Sequence, residues 1–253
     1  MSKPQLNNPP LIEALFEMQW GRDGEGDPSY PLIVGRLYET LFKGKYPEQE
    51  DLPVSEMPAR VTMHLVRHRF RKAKNGWPLV QLGAGVLTYN ETENYEWGTF
   101  KNNVIEVVNN FYKFYPGPTP VAPNSYLLRY INAIEYDASV NLQEFIASHL
   151  KISQNLPDAL FAGLPIEKKP LNLDMHFSFQ SKKPEGLLDI FLSQGFKQGK
   201  PAIILDLNLR STSISEMPTN FEDWITSGHT IIEDWFFKMI EGPLREKFNG
   251  NRK

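Results

Sequence analysis

Cysteine is absent from this chain of 253 residues. That excludes disulfides and every mechanism that runs through a thiolate, and it points to a cytoplasmic chain. Long apolar runs are absent too, and the opening MSKPQLNNPP has no apolar core. Neither a membrane span, nor a secretory leader, nor a membrane partner is therefore expected. No charge of one sign dominates: 27 Lys and Arg stand against 30 Asp and Glu, for a formal net charge of −3. This argues against a chain-wide attraction to nucleic acid, while a local basic patch stays open. Several chemical signatures are missing as well. No serine sits in a strand-to-helix elbow, no phosphate loop opens a helix, and no HxH, HExxH or DxD pattern gathers metal ligands. No cofactor and no metal is expected.

What is present is the composition of an ordinary globule, 41% hydrophobic and 23% charged. The stretch 77–115 organises the rest. Residues 78–89 read as a single strand with both faces apolar, central in a sheet or covered on both sides. Gly83 and Gly85 lie two apart within it. They mark a bend, close helix-on-sheet packing, or the approach of a ligand to the backbone. The GAG triplet lacks the third glycine and the helix start of a dinucleotide fingerprint. A polar turn over 90–94 follows. Then Trp97, Phe100, Val104, Val107, Val108 and Phe111 recur at three or four residues, one apolar helical stripe that ends before Pro116.

The same patterns predict strands over 12–20, 60–72, 126–136, 171–179, 187–192 and 202–209. Helices are predicted over 30–45 and 142–150, and from Thr219, whose spacing to Glu222 is that of a capping box. Leu244 to Phe248 adds a final turn. Residues 46–58 read as an acidic loop, and 151–170 as a loop with at most one short helix. Asn75-Gly76 predicts a hairpin that pairs 60–72 antiparallel with 78–89. The order strand, helix, strand, strand, helix over 1–118 returns as strand, helix, two or three strands, helix over 119–253. The echo of Phe111-Tyr112-Lys113-Phe114 in Phe236-Phe237-Lys238-Met239 favours duplication of a β-α-β-β-α unit; chance recurrence in an α+β chain is the alternative. The expected fold is α+β, a mainly antiparallel sheet with long helices packed on one face, the halves 1–118 and 119–253 standing apart or fused into one domain.

Four groups of residues invite a functional reading. The block Arg60, Arg67, Arg69, Arg71, Lys72, Lys74 holds no acid between its members and has Trp77 nearby. It is a phosphate grip, a partner interface, or a solvated strand paired with the acidic Glu91, Glu93 and Glu96. Asp174 and His176 on one strand, with Asp206, Asn208 and Arg210 on another, form a cluster suited to a divalent metal or to acid–base work, or an exposed sheet face. His229 falls on the apolar stripe of the last helix. It is a core histidine bonded to a backbone carbonyl, or a ligand or catalytic group near Trp224, Thr226 and Glu233. Tyr130 and Asn132 share an otherwise apolar strand face, where a buried asparagine needs partners.

The motifs NNPPLIEALFEMQW, PLVQLGAGVLTYN with YEWGTFK, and LLRYIN, together with the tail GHTIIEDWFFKMIEGPLREKF, resemble an uncharacterised, sporadically distributed prokaryotic family of similar length. The likeness covers essentially the whole chain, and that family has no assigned activity. Its sporadic distribution implies mobile or defence-related genes. The leading expectation is a non-catalytic protein that binds a protein partner or a second copy of itself, within a defence or toxin–antitoxin-like system. A small-molecule- or metal-binding enzyme centred on Asp174, His176, Asp206 and Arg210 is the first alternative. Nucleic-acid binding through Arg67, Arg69, Arg71, Lys72 and Lys74 is the second.

Overall fold

A computed structural model describes residues 6–21, 27–58, 62, 64–116, 121–212 and 221–250. Arg60 and its neighbours in the predicted strand 60–72, and the predicted cap Thr219, lie outside the described residues. The protein is α+β. Strands β1 (Leu11–Trp20), β2 (Glu48–Asp51), β3 (His68–Arg71), β4 (Leu79–Gly83), β5 (Val86–Glu91), β6 (Pro123–Glu135), β7 (Asp174–Lys182), β8 (Glu185–Lys197) and β9 (Lys200–Ser211) form one sheet. Its order is β2-β3-β4-β5-β1-β6-β9-β8-β7, and every neighbouring pair is antiparallel. The helices are α1 (Tyr30–Leu37), which continues through a π-helical turn (Tyr38–Phe42) into α2 (Lys43–Lys45), then α3 (Trp97–Phe114), α4 (Leu142–Leu150), α5 (Phe221–Met239) and α6 (Pro243–Asn249). Among the described residues, no helix is long and apolar enough to cross a membrane.

β1 lies in the middle of the sheet, and its alternation sets the two faces. Ala14, Phe16, Met18 and Trp20 are buried, whereas Glu13, Leu15, Glu17 and Gln19 stay half-exposed. The buried set meets both long helices: Trp20 packs on Phe111 of α3 with ring centroids 4.6 Å apart, and Phe16 on Phe221 of α5 at 5.2 Å. We term this the aromatic face and the other the polar face. The α3 stripe of Phe100, Val104, Val107, Val108 and Phe111 is buried as its spacing requires. Its start is fixed by Glu96, whose carboxylate accepts from Gly98 N at 2.8 Å and Thr99 N at 2.7 Å. Those two bonds hold the Glu96 carboxyl below its ordinary range. Asn141 caps α4 in the same way, accepting from Gln143 N at 2.9 Å.

Several expectations are corrected. Residues 78–89 are two strands, not one. Gly83 pairs with Val86 across a tight turn at Ala84-Gly85, and Gly85 adopts φ +125°, a conformation open to glycine. The turn is apolar because Trp20 N donates to Gly85 O at 3.0 Å, so the hairpin tip is itself packed against β1. Gly83 is needed for a different reason: a Cβ there would stand 2.0 Å from the carbonyl oxygen of Leu65. The acidic stretch 46–58 is not wholly loop, since its residues Glu48–Asp51 form edge strand β2, paired with the basic β3. β3 is only four residues long. In the second half, β8 and β9 run further than the pattern indicates and close on a turn at Gln198 (φ 50°) and Gly199 (φ 79°). Between α4 and β7 the chain holds only the short 3-10 turn Asp158–Leu160.

Candidate functional site

The polar faces of β6, β9, β8 and β7 form a groove of about 520 Å³. The register explains its contents. Arg129, Asn208, Asp189 and Ser178 stand in one cross-strand row, and Ile131, Asp206, Phe191 and His176 in the next. Two ion pairs run diagonally between the rows. Arg129 Nε lies 3.0 Å from both carboxylate oxygens of Asp206, and its Nη2 donates to Oδ2 at 2.6 Å. This fork raises the Arg129 pKa further, chiefly through the bonds to Asp206. His176 Nε2 lies 3.0 Å from Asp189 Oδ1, and its ring stacks on Phe191 at 4.0 Å and 12°.

The sequence-derived cluster Asp174, His176, Asp206, Asn208 and Arg210 is thus gathered around one groove. Asn208 and Arg210 have no side-chain hydrogen bond or ion pair among the described residues, and Asn208 is 8% exposed. Among the described residues, no group of three or more His, Asp or Glu could hold a metal ion. Sequence reasoning missed Arg129, Asp189 and Phe191. The signal for the first two was there: LLRYIN and LLDIFL each place one charge in an apolar alternation. Their partners depend on strand order, which the alternation does not carry.

The first half carries its own polar lane on the same face. Asn90 Nδ2 donates to Glu13 Oε1 at 2.5 Å, and Thr88 Oγ1 to Asn90 Oδ1 at 2.9 Å. Gln81 Nε2 donates to Thr88 Oγ1 at 3.0 Å, and Arg69 Nε to Gln81 Oε1 at 2.9 Å. The basic block is divided by this network. Arg67 is turned inward, 9% exposed, donating to the carbonyls of Ser55 and Met57. Arg69 and Arg71 approach Glu50 of β2 at 3.7 and 3.5 Å, and Arg71 lies over the Trp77 ring at 5.7 Å. Lys72 and Lys74 are exposed. The acid opposite this block is therefore Glu50. Of the acids expected there, Glu96 caps α3, and Glu91 is buried beside Tyr89, whose hydroxyl lies 3.4 Å from Glu91 Oε2.

His229 lies on the aromatic side, apart from the groove lining. Its Nδ1 is 3.0 Å from the Tyr130 hydroxyl, which accepts from the Tyr95 hydroxyl at 3.0 Å. Its Nε2 is 3.7 Å from Glu233 Oε1. Both ring nitrogens thus have side-chain neighbours, Tyr130 and Glu233. Tyr130 is enclosed, and burial pushes its hydroxyl pKa far above the ordinary range, so it stays protonated. Asn132 donates to Leu205 O at 3.4 Å.

One further surface stands out. In the connection from α4 to β7, Leu156, Leu160, Leu164 and Ile166 are 52, 57, 53 and 59% exposed, and Leu171 is 97% exposed. No family model matches the chain, and no curated protein matches it significantly.

Proposed function

We propose that the protein is a binding protein, not a catalyst, and that its partner is another protein docked on the apolar segment 156–171. The observation that carries this reading is the run of five large aliphatic side chains in that segment, each more than half in solvent. Such side chains cost little when isolated, but a run of them along one connection marks a surface meant to be covered. The groove supports a binding role too: its Asp206 is held against Arg129, and its histidine against Asp189 beside it. Those pairs rigidify a surface better than they supply a proton to a substrate. In this reading both long helices share the aromatic face, as the Trp20–Phe111 and Phe16–Phe221 contacts support. The sheet arises by duplication. Counted outward from the centre, the first half runs β1-β5-β4-β3-β2 and the second β6-β9-β8-β7, the same chain order on each side with β2 as one extra edge strand. The cytoplasmic setting, the prokaryotic family and the defence or toxin–antitoxin-like context complete the proposal.

Native mass spectrometry of the protein taken from its own host tests it. The wild type is expected to carry a second chain, and Leu160→Ser/Leu164→Ser/Ile166→Ser to lose it with no change in circular dichroism. A bare chain in both preparations refutes the reading. A second reading, a small-molecule site in the groove, is favoured by Arg210 and Asn208, whose side chains are unpartnered there. A bound metabolite that Arg210→Ala releases selects it.

A further inference from the structure

The sheet ends on β2 at one side and β7 at the other, and the two edges are built differently. β2 is four residues long, EQED, and every residue is exposed. Two such edges laid antiparallel bring acids opposite acids, which blocks pairing. β7 is nine residues long, DMHFSFQSK, and among the described residues it is bonded to β8 alone. Its interior, 175–181, holds no lysine, proline or acid, so the residue types that usually protect a sheet edge are missing there. Apolar surface continues beside it on the aromatic face. Phe179 is 42% exposed, and its ring centroid lies 5.1 Å from that of the half-buried Trp235 of α5.

We propose that β7 pairs antiparallel with β7 of a second copy of this chain, about a twofold axis at Ser178, so that two sheets become one. The charges of the strand select this occupant. β7 has one acid, Asp174, at its start and one base, Lys182, at its end, both exposed and on the polar face. With Ser178 opposite its own counterpart, Asp174 faces the partner's Lys182 and Lys182 faces the partner's Asp174. On the aromatic face, Phe177 meets the partner's Phe179, so the Phe177, Phe179 and Trp235 cluster is doubled across the axis. A slip of two residues in either direction removes both ion pairs. An isologous contact of this kind closes on itself and stops at the dimer. This goes beyond the partner reading, which rests on 156–171, and the two are tested separately.

The experiment is sedimentation velocity on the purified full chain over a concentration series. The wild type is expected to dimerise. Lys182→Asp and Asp174→Lys, each placing two like-charged pairs across the axis, are expected to weaken the dimer about tenfold or more. Asp174→Lys/Lys182→Asp, with the charges exchanged, is expected to restore it. Phe179→Lys is expected to be monomeric. Because Asp174, Phe179 and Lys182 are exposed, the variants should fold, and circular dichroism checks this. A monomeric wild type overturns the proposal. So does a dimer indifferent to the single charge reversals, or one the double reversal fails to rescue.

Discussion

The His229 imidazole lies flat on the Trp97 indole, with ring centroids 3.8 Å apart and planes 11° apart. This contact joins the first turn of α3 to the middle of α5, and beneath it Tyr130 and Tyr95 continue the chain of polar contacts. Two contributions can be separated by substitution. His229→Phe keeps an aromatic ring on Trp97 but leaves the Tyr130 hydroxyl without its imidazole partner. It is expected to cost about 1 kcal/mol. His229→Ala loses the stack as well, and about 2 kcal/mol is expected. Urea unfolding midpoints of the two variants give the comparison; equal losses would show that the stack contributes nothing.

Removing Arg129 leaves the Asp206 carboxylate on the floor of the groove without its fork. The side chains of Arg129 and Asp206 are 39% and 12% exposed. Solvent therefore reaches the guanidinium, and the loss falls below that of a fully buried pair. Arg129→Met is expected to destabilise by about 2 kcal/mol, and Arg129→Met/Asp206→Leu to recover most of it. Chemical denaturation of the four proteins in the double-mutant cycle measures the coupling.

Glu91 is a buried acid of the aromatic side. Burial raises its carboxyl above the ordinary range, and bonds from Glu93, Tyr89 and Thr92 only partly offset this. The sign follows from linkage. The folded state holds the proton more tightly than the unfolded one, so stability falls as pH rises from the unfolded value through the raised folded one. Glu91→Gln removes this loss. The variant is expected to melt above wild type at neutral pH, and its advantage to shrink or reverse below about pH 4, where both states of the wild type are protonated. Melting temperatures across that range decide it.

A pair of glycines gives opposite expectations. Gly83→Ala forces a Cβ to within 2.0 Å of Leu65 O and 2.8 Å of Val86 Cγ1, and a loss of about 3 kcal/mol is expected. Gly35, in α1, has nothing within 4 Å of an added Cβ. There Gly35→Ala is expected to stabilise by about 0.5–1 kcal/mol, because alanine costs less backbone entropy in a helix. Thermal melts of both variants test the two signs.

These contrasts show what the amino-acid pattern carries. The stripes of α3 and α5 and the alternation of β1 were legible, because each buries one face against a neighbour and so repeats at a fixed period. The hairpin at Gly83–Val86 was not, since its turn is packed and lacks the polar residues that usually mark a turn. Nor was β2, whose four polar residues are all exposed and leave no alternation to read. In the groove, the same-face spacing of Asp174 with His176 and of Asp206 with Arg210 was visible. That they share one groove, and that Arg129 and Asp189 complete the ion pairs, depends on β9 lying between β6 and β8. The inward turn of Arg67 has no sequence signal, because its carbonyl acceptors on Ser55 and Met57 are backbone atoms.

The central place of β1 also bears on how the protein is made. Ala14 pairs with Glu91 on one side and with Tyr130 on the other. A strand that precedes both of its neighbours in the chain thus acquires the second only when β6, more than a hundred residues later, has emerged. Until then a nascent chain presents a bare strand edge flanked by Phe16, Met18 and Trp20. Pairings so distant in sequence slow folding and lengthen exposure to aggregation. Yield in the cell should accordingly respond to translation speed and to chaperone supply at the stage before β6 is made, more than to changes in the finished sheet's edges.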